Sequence, residues 1–255
     1  MIFDTHAHYD DIAFDEDRDE LIEYMHQNGV DYIVNAGEAV KSSLAGVEMG
    51  KKYEFVYSAS GIHPEHANET TDSDIEEIEK IARENKKVVA IGEIGLDYHY
   101  EGYNKEKQID IFKKQLKIAK DLDLPVIIHS RDASQDTFDI IKESEIRKGI
   151  IHCYSGSAKM AADYVKMGFF IGIGGVLTYK NARKLVEVAE EIDINNIVLE
   201  TDCPYLAPAP FRGKRNNSLY IQYVAEKMAE IKGISYDEVC KITCENGKKI
   251  FGIQS

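Results

Sequence analysis

Six residues with metal-binding side chains lie at or near the ends of short apolar segments. These segments are typical of buried parallel β-strands, because they are rich in Val, Ile and Phe and are apolar on both faces. The carboxyl ends of such strands meet at one edge of a sheet or barrel, so residues distant in sequence become neighbours. Imidazoles combined with carboxylates suit Zn²⁺, Mn²⁺ or Fe²⁺. The six residues are His6, His8, Glu93, His129, His152 and Asp202.

This set is large enough to hold two cations. His6 and His8 are two positions apart on a predicted strand, so their side chains point to the same face. Glu93 is the natural bridging ligand, because a carboxylate has two oxygens whereas a neutral imidazole offers one lone pair. A single histidine at a strand end is more often structural, but burying six ionisable groups together without a cation is costly. We therefore expect two divalent cations, with Zn²⁺, Mn²⁺ and Mg²⁺ as candidates.

The rest of the sequence indicates how these residues are positioned. Eight apolar segments alternate with segments of helical periodicity, and no linker or change in composition interrupts them. We expect an α/β fold, a single (β/α)8 TIM barrel over residues 1–255, with the metal site at the C-terminal mouth of the strands. The predicted strands are 2–8, 31–37, 54–60, 87–93, 124–130, 148–154, 168–174 and 196–202. The predicted helices are about 17–28, 39–51, 72–85, 104–121, 133–146, 157–167, 181–191, 217–232 and 235–250.

The charge balance limits the ways in which this chain can bind a polyanion. It contains 31 Lys and Arg residues against 45 Asp and Glu residues, which gives a net charge of −14. Proteins that hold nucleic acid by bulk charge are usually basic, so broad electrostatic binding is disfavoured. The N-terminus has no signal-peptide pattern, and no apolar run approaches the length of a membrane span. The four cysteines form no CxxC motif, and we expect reduced thiols, a cytoplasmic location and no membrane partner.

Six segments closely resemble the TatD family of metal-dependent deoxyribonucleases, and together they cover nearly the whole chain. The resemblance implies a (β/α)8 barrel of the metal-dependent hydrolase superfamily, two divalent cations, and 3′→5′ exonuclease or endonuclease activity on DNA. The substrate would be single-stranded DNA or 3′ ends. The segments are FDTHAH (3–8), GIHP (61–64), GEIGLDY (92–98), IHSRDA (128–133), IHCYSG (151–156) and ETDCPYL (200–206).

The resemblance also implies a role for each matching residue. The first cation would be held by His6, His8, Glu93 and Asp202, and the second by Glu93, His129 and His152. Residues beside the cations or in contact with substrate would be His63, Arg131 and Glu200. Two departures from the family pattern affect substrate contacts. Glu65 stands where a second histidine is common, and Asn217-Ser218 replaces Glu-Pro.

The predicted reaction is metal-assisted hydrolysis of a phosphodiester, with Asp202 as general base and Glu93 as the second catalytic carboxylate. Arg131 either pairs with a phosphate or forms a salt bridge with Asp132 or Asp97. The loop after the eighth strand adds two further candidates for contact with the phosphate backbone, Arg212 and Arg215. Bases could stack on tyrosines near strand ends, although packing is the default role: Tyr154, Tyr179 and Tyr205.

Three alternatives remain open from the sequence. The first is a lactonase, amidase or phosphotriesterase on the same barrel. Several of those relatives have a carbamylated lysine as the ligand on the fourth strand, where this chain has Glu93. The second is a metal-binding protein without catalysis, which the intact ligand set disfavours. The third is RNA or a modified 3′ end as the true substrate. The oligomeric state is left open, a monomer included.

Overall fold

The computed structural model describes residues 1–254 and contains eight strands and nine α-helices within that range. The strands are β1 (Ile2–Ala7), β2 (Val30–Ala36), β3 (Val56–Ser60), β4 (Val88–Asp97), β5 (Val126–Arg131), β6 (Gly149–Ile151), β7 (Phe169–Ile173) and β8 (Ile197–Leu199). The helices are α1 (Arg18–Gln27), α2 (Val40–Lys52), α3 (Asp72–Glu84), α4 (Lys105–Leu122), α5 (Ser134–Ser144), α6 (Ala158–Lys166), α7 (Arg183–Glu191), α8 (Ile221–Lys232) and α9 (Tyr236–Phe251).

The strands lie in one sheet in the order of the sequence, from β1 to β8, and the described pairs are parallel. A parallel bridge joins Ala7, at the end of β1, to Cys203, which follows β8. The main-chain N–H of His8 also donates to the carbonyl of Cys203 at 2.8 Å. Strand order, helical crossovers and this closing contact confirm the predicted (β/α)8 fold class.

The chain divides into two compact units. The first unit comprises residues 1–35, 153–166 and 170–254. Within it, α9 packs against β1 and β8. A Cβ on Gly247 of α9 would lie 2.6 Å from Cδ1 of Phe3. Glycine is therefore needed where this helix approaches the strand. One domain over residues 1–255 stays a prediction, and Ser255 lies outside the described residues.

The second unit comprises residues 36–152 and 167–169. Helices α2, α3 and α4 contact β3 and β4. The apolar faces of these helices explain that packing, because Ile78 of α3 and Ile111 of α4 share a buried cluster with Ile62. These buried apolar side chains thus pack α3 and α4 against the segment that follows β3, which carries His63.

The strand ends differ in detail from the sequence prediction. The prediction that Glu93 ends the fourth strand is wrong, because β4 continues to Asp97 through pairing of Gly95 with His129 and of Asp97 with Arg131. Strand β8 stops at Leu199, so Asp202 lies three residues beyond it, whereas the predicted strand 196–202 included Asp202. No helix among residues 1–254 is both long enough and apolar enough to cross a membrane.

Candidate active site

The first unit brings His6, His8 and Asp202 together, and we call these three residues the first ligand group. The Nε2 atoms of His6 and His8 are 3.0 Å apart. Oδ1 of Asp202 lies 3.3 Å from Nε2 of His8 and 3.6 Å from Nε2 of His6. Both imidazoles are buried, whereas the Asp202 side chain is 18% exposed. The group is therefore closed on the histidine side and open to solvent at the carboxylate.

Backbone geometry positions the first ligand group. His6 and His8 project from the same face of β1 and its immediate extension. Asp202 has a positive φ of 57°, a left-handed conformation that aspartate tolerates better than most residues. Its main-chain N–H donates to the carbonyl of His6 at 3.0 Å, and its carbonyl accepts from Tyr205 at 2.8 Å. These hydrogen bonds hold Asp202 in a strained backbone conformation. Such conformations are common at functional sites.

The chemistry of the first ligand group fits a divalent cation. Three ligands of one tetrahedral ion, each bound at about 2.1 Å, lie about 3.4 Å from one another. The three atom pairs in this group are separated by 3.0, 3.3 and 3.6 Å. Two nitrogens and a carboxylate oxygen also form a donor set that Zn²⁺ and Mn²⁺ accept. The ligand role predicted for these three residues stays a prediction, and the geometry is compatible with it.

A buried carboxylate next to this group was missed by the sequence reasoning. Asp4 accepts hydrogen bonds from Thr201, through both N–H and hydroxyl, and from the hydroxyl of Ser218 at 2.6 Å. Burial raises the pKa of Asp4 to about 7, against the lowering effect of these hydrogen bonds. Ser218 stands where the resembling family has proline, which has no hydroxyl to donate. This departure therefore ties the loop before α8 to β1.

The second unit brings together Glu93, His129 and His152, which we call the second ligand group. Oε1 of Glu93 lies 2.8 Å from Nδ1 of His129 and 3.7 Å from Nε2 of His152. One ligand atom from each of the three residues lies within 4.8 Å of the other two. A carboxylate and two imidazoles form a further nitrogen and oxygen donor set that fits a divalent cation.

Main-chain packing determines where Glu93 lies. Its N–H donates to the carbonyl of Gly37 at 2.7 Å. A Cβ on Gly92 would lie 2.6 Å from the Cβ of Ile127, so only glycine fits before Glu93. The sharing of Glu93 between two cations stays a prediction.

Asp97 is the main residue of this site that the sequence reasoning did not assign. Its Oδ2 lies 3.0 Å from Nε2 of His129, on the side of the ring opposite Glu93. Although burial lowers the pKa of His129, hydrogen bonds to Asp97 and Glu93 raise it to about 9. The even spacing between Glu93 and Asp97 places both side chains on the same face of β4, but this signal can be used only once the strand is known to continue past Glu93.

Gln108 of α4 holds the main chain of Asp97 in place. Its amide oxygen accepts from the N–H of Asp97 at 3.0 Å, and its amide nitrogen donates to the carbonyl of Asp97 at 2.8 Å. The N–H of His99 donates to the other carboxylate oxygen, Oδ1, at 2.8 Å. Asp97 thus has a fixed backbone and a fixed carboxylate from which to orient His129.

His63 lies beside the second ligand group. Its ring is 4.4 Å from that of His129 between centroids, in an edge-on arrangement. Its Nε2 is 3.8 Å from Oε1 of Glu93, while Nδ1 accepts from the N–H of Glu65 at 3.2 Å. This second contact fixes the orientation of the His63 ring. A substrate contact for His63 stays a prediction.

The remaining predicted substrate residues have very different surroundings. Arg131 is exposed and donates to the hydroxyl of Tyr100 at 3.2 Å. Glu200 is fully buried and accepts from the N–H of Cys153 at 2.6 Å, which favours a positioning role. Arg212 is exposed, with its guanidinium 4.6 Å from the centroid of the Tyr179 ring.

Arg215 is held by the first unit rather than directed to solvent. Its two terminal nitrogens lie 2.8 and 2.6 Å from the two carboxylate oxygens of Asp17. It also donates to the carbonyl of Ala13 at 2.7 Å and lies over the ring of Phe14. Such a paired geometry favours a structural role over a phosphate contact. Tyr154 is likewise buried, with its hydroxyl bonded to the carbonyl of Ser157, so that base stacking on it is excluded.

Comparisons with known proteins agree with the observed fold. The family model of TatD-related DNases matches residues 3–252. The chain is 44% identical to YabD of Bacillus subtilis, described as an uncharacterized metal-dependent hydrolase, over 99% of this chain and 100% of that protein. The crystal structure of YjjV, a TatD homologue from Escherichia coli, superposes with a TM-score of 0.94 at 30% identity, covering 99% of this chain and 98% of that one.

A hydrolase TatD family protein from Entamoeba histolytica gives a TM-score of 0.89 at 25% identity, covering 98% of this chain and 97% of that chain. The likenesses in sequence and in structure thus both extend over essentially the whole length of the chain. The chain therefore belongs to the family of TatD-related DNases.

Proposed function

We propose that this protein is a metal-dependent deoxyribonuclease that hydrolyses phosphodiester bonds of DNA, in the 3′→5′ direction, on single strands or 3′ ends. Metal-dependent hydrolysis follows from membership of the family. The observation that most supports the proposal is the geometry of the first ligand group. Its two imidazole nitrogens and one carboxylate oxygen have the spacing of ligands around one small ion.

We propose that each ligand group holds one divalent cation, with Zn²⁺, Mn²⁺ or Mg²⁺ as candidates. When bound, such cations lower the pKa of water toward neutrality and stabilise negative charge on phosphoryl oxygens. In the first ligand group the two imidazoles supply neutral nitrogens and Asp202 supplies charge. In the second group Glu93 supplies charge, and Asp97 orients His129 from the opposite side.

Asp202 is the proposed general base. Its carboxylate is the most exposed part of the first ligand group, so water and substrate reach it. Main-chain hydrogen bonds with His6 and Tyr205 fix the backbone of Asp202, which limits the positions that its carboxylate can take. Its carboxylate accepts the proton of the attacking water. Glu93, the second catalytic carboxylate, is buried and would hold the cation of the second ligand group, which would supply positive charge beside the phosphate.

Arg131 and Arg212 are the proposed phosphate contacts. Both guanidiniums are exposed and lie against tyrosine rings, which limits their rotamers and leaves hydrogen-bond donors available. The net charge of −14 disfavours broad electrostatic binding of DNA. Binding therefore depends on a few local charges and weakens with salt.

End-labelled single-stranded and duplex DNA, incubated with the purified protein and Mg²⁺, Mn²⁺ or Zn²⁺, tests this proposal. We expect a ladder that shortens from the 3′ end and is abolished by a chelator. Asp202→Asn should abolish cleavage, whereas Glu230→Gln on the exposed face of α8 should leave it unchanged. Cleavage by the metal-free protein would refute the proposal. Turnover of lactones or p-nitrophenyl phosphodiesters without cleavage of DNA would favour a different hydrolase activity.

A further inference from the structure

The second unit contains a cavity of about 220 Å³ beside the second ligand group. It lies between the short helical turn Pro64–His66 and the segment that follows β4. One wall is Asp97, the residue that orients His129. The other side chains that matter here are two tyrosines, two glutamates and two asparagines: Tyr100, Tyr103, Glu65, Glu101, Asn68 and Asn104.

We propose that this cavity binds a nucleobase of the substrate, with a preference for guanine over thymine. The proposal rests on the proposed function and adds a binding site for the base next to the site of hydrolysis. Cavities that enclose drug-sized ligands measure about 300–1,000 Å³. A volume of about 220 Å³ therefore suits one flat ring system rather than a whole nucleotide.

The tyrosines provide surfaces on which a base can stack. Tyr100 and Tyr103 are 51% and 42% exposed, although aromatic rings are usually buried. Tyr103 stacks on Tyr98 with a centroid distance of 4.8 Å and an interplanar angle of 14°. The hydroxyl of Tyr98 donates to Asp136 at 2.9 Å, which anchors this stack to α5. The aromatic surface is therefore supported before any ligand binds.

The charge of the cavity selects a base rather than a phosphate. Its lining includes the carboxylates Glu65 and Glu101 but no lysine or arginine. Carboxylates repel phosphate and accept hydrogen bonds from N–H groups. The edge of guanine offers a ring N–H and an amino group side by side, whereas thymine presents a carbonyl on each side of its single N–H. Glu65 stands where the resembling family commonly has histidine, so this preference would be a property of this chain.

The cavity adjoins the second ligand group and Arg131. Asp97 contacts both the cavity and His129, so a single residue separates the cavity from the second ligand group. Arg131 donates to the hydroxyl of Tyr100, at the same rim. A phosphate at the second ligand group and Arg131 would thus have its own base within reach of the tyrosines.

Binding of nucleosides tests the cavity without requiring cleavage. Isothermal titration of the metal-loaded protein with deoxyguanosine and with thymidine should show about tenfold tighter binding of deoxyguanosine. The double variant Glu65→Ala/Glu101→Ala should abolish this preference, and Tyr100→Ala should weaken both nucleosides about fivefold or more. Glu76→Ala/Glu84→Ala removes the same charge from exposed positions of α3 and should change nothing. Equal affinity for the two nucleosides, or a preference that survives the double variant, would overturn the proposal.

Cleavage of oligonucleotides separates this proposal from the proposed function. Substrates that end in guanine, thymine or an abasic sugar should differ in KM but not in kcat, and the double variant should remove the difference between guanine and thymine. Cleavage of DNA with equal KM for all three ends would refute the cavity and leave the nuclease. Selective nucleoside binding by a protein that does not cut DNA would refute the nuclease and leave the cavity.

Discussion

Asp97→Asn should weaken binding of the cation at the second ligand group without unfolding the protein. Asp97 accepts two hydrogen bonds, one from the main-chain N–H of His99 at 2.8 Å and one from Nε2 of His129 at 3.0 Å. Asparagine has the same shape but only one acceptor oxygen, so it can satisfy one of these donors. If the oxygen stays with His99, the amide NH₂ group faces His129 and forces its proton onto Nδ1. That nitrogen faces Glu93 and is then no longer available as a ligand.

The expected loss of metal affinity is about 10- to 100-fold, the usual effect of removing the carboxylate behind a ligating histidine. This corresponds to about 1.4–2.7 kcal/mol. The alternative orientation of the amide keeps the bond to His129 but loses the one to His99. Losing the part-buried bond from the His99 N–H costs folding stability, and the metal affinity still falls because a neutral amide oxygen makes the imidazole a weaker ligand than a carboxylate does.

Competition with a chromogenic chelator for Zn²⁺ and Mn²⁺, together with metal content after dialysis, measures this effect. The ¹⁵N NMR shifts of His129 report its tautomer independently of activity. The matched control is Asp132→Asn, which makes the same change at an exposed carboxylate 2.8 Å from Nδ1 of His99. Metal affinity and a His129 tautomer that both remain unchanged in Asp97→Asn would refute the role of Asp97.

Arg212→Ala should raise KM for DNA about 3- to 10-fold, because the guanidinium of Arg212 lies over a tyrosine ring and has no carboxylate partner among residues 1–254. The slope of log affinity for DNA against log salt concentration should fall in magnitude by about one. Arg215→Ala should leave KM unchanged and lower the free energy of unfolding by about 1 kcal/mol, because Arg215 is paired with Asp17. An equal rise of KM in the Arg212 and Arg215 variants would contradict the assignment of Arg212 to substrate and of Arg215 to the fold. The hydrogen bond from Arg215 lowers the pKa of Asp17 in the folded protein. The stabilisation from this ion pair is therefore complete above the unfolded pKa near 4 and is lost as the pH falls through the lower folded pKa. Denaturant titrations of the wild type and of Asp17→Asn between about pH 2 and 7 should give free energies of unfolding that converge at the acid end. Ser218→Ala should lower the free energy of unfolding by about 1–3 kcal/mol, because Asp4 loses a buried donor, and unchanged urea unfolding would exclude that contribution.

The fold and the clustering of the candidate ligand residues were largely predictable because they depend on local patterns. Burial on both faces of a parallel strand requires a run of apolar residues, and such runs located all eight strands to within a few residues. Pairing between strands is not local. Strand β4 therefore extends to Asp97 because of its register with β5, which no pattern within residues 87–97 specifies.

Substrate residues were less predictable, because charge in a sequence does not reveal its partner. Arg212 and Arg215 are three residues apart, and no local pattern distinguishes their roles. The fold pairs Arg215 with Asp17, nearly 200 residues away, and leaves Arg212 over a tyrosine ring. Exposure and pairing decide which guanidinium can bind a phosphate, and both depend on distant contacts.

The sequence by itself determined the alternation of strands and helices, the six candidate ligands and the resemblance to one family. These follow from side-chain chemistry and from the periodicity of strands, which act over a few residues. Only the tertiary structure decided that Asp97 orients His129, that Ser218 donates a hydrogen bond to Asp4, and that a cavity lies beside the second ligand group. Each of these features needs two or more segments brought together by the packed core, because hydrogen bonds and cavities form between side chains whose distances the chain sequence does not fix.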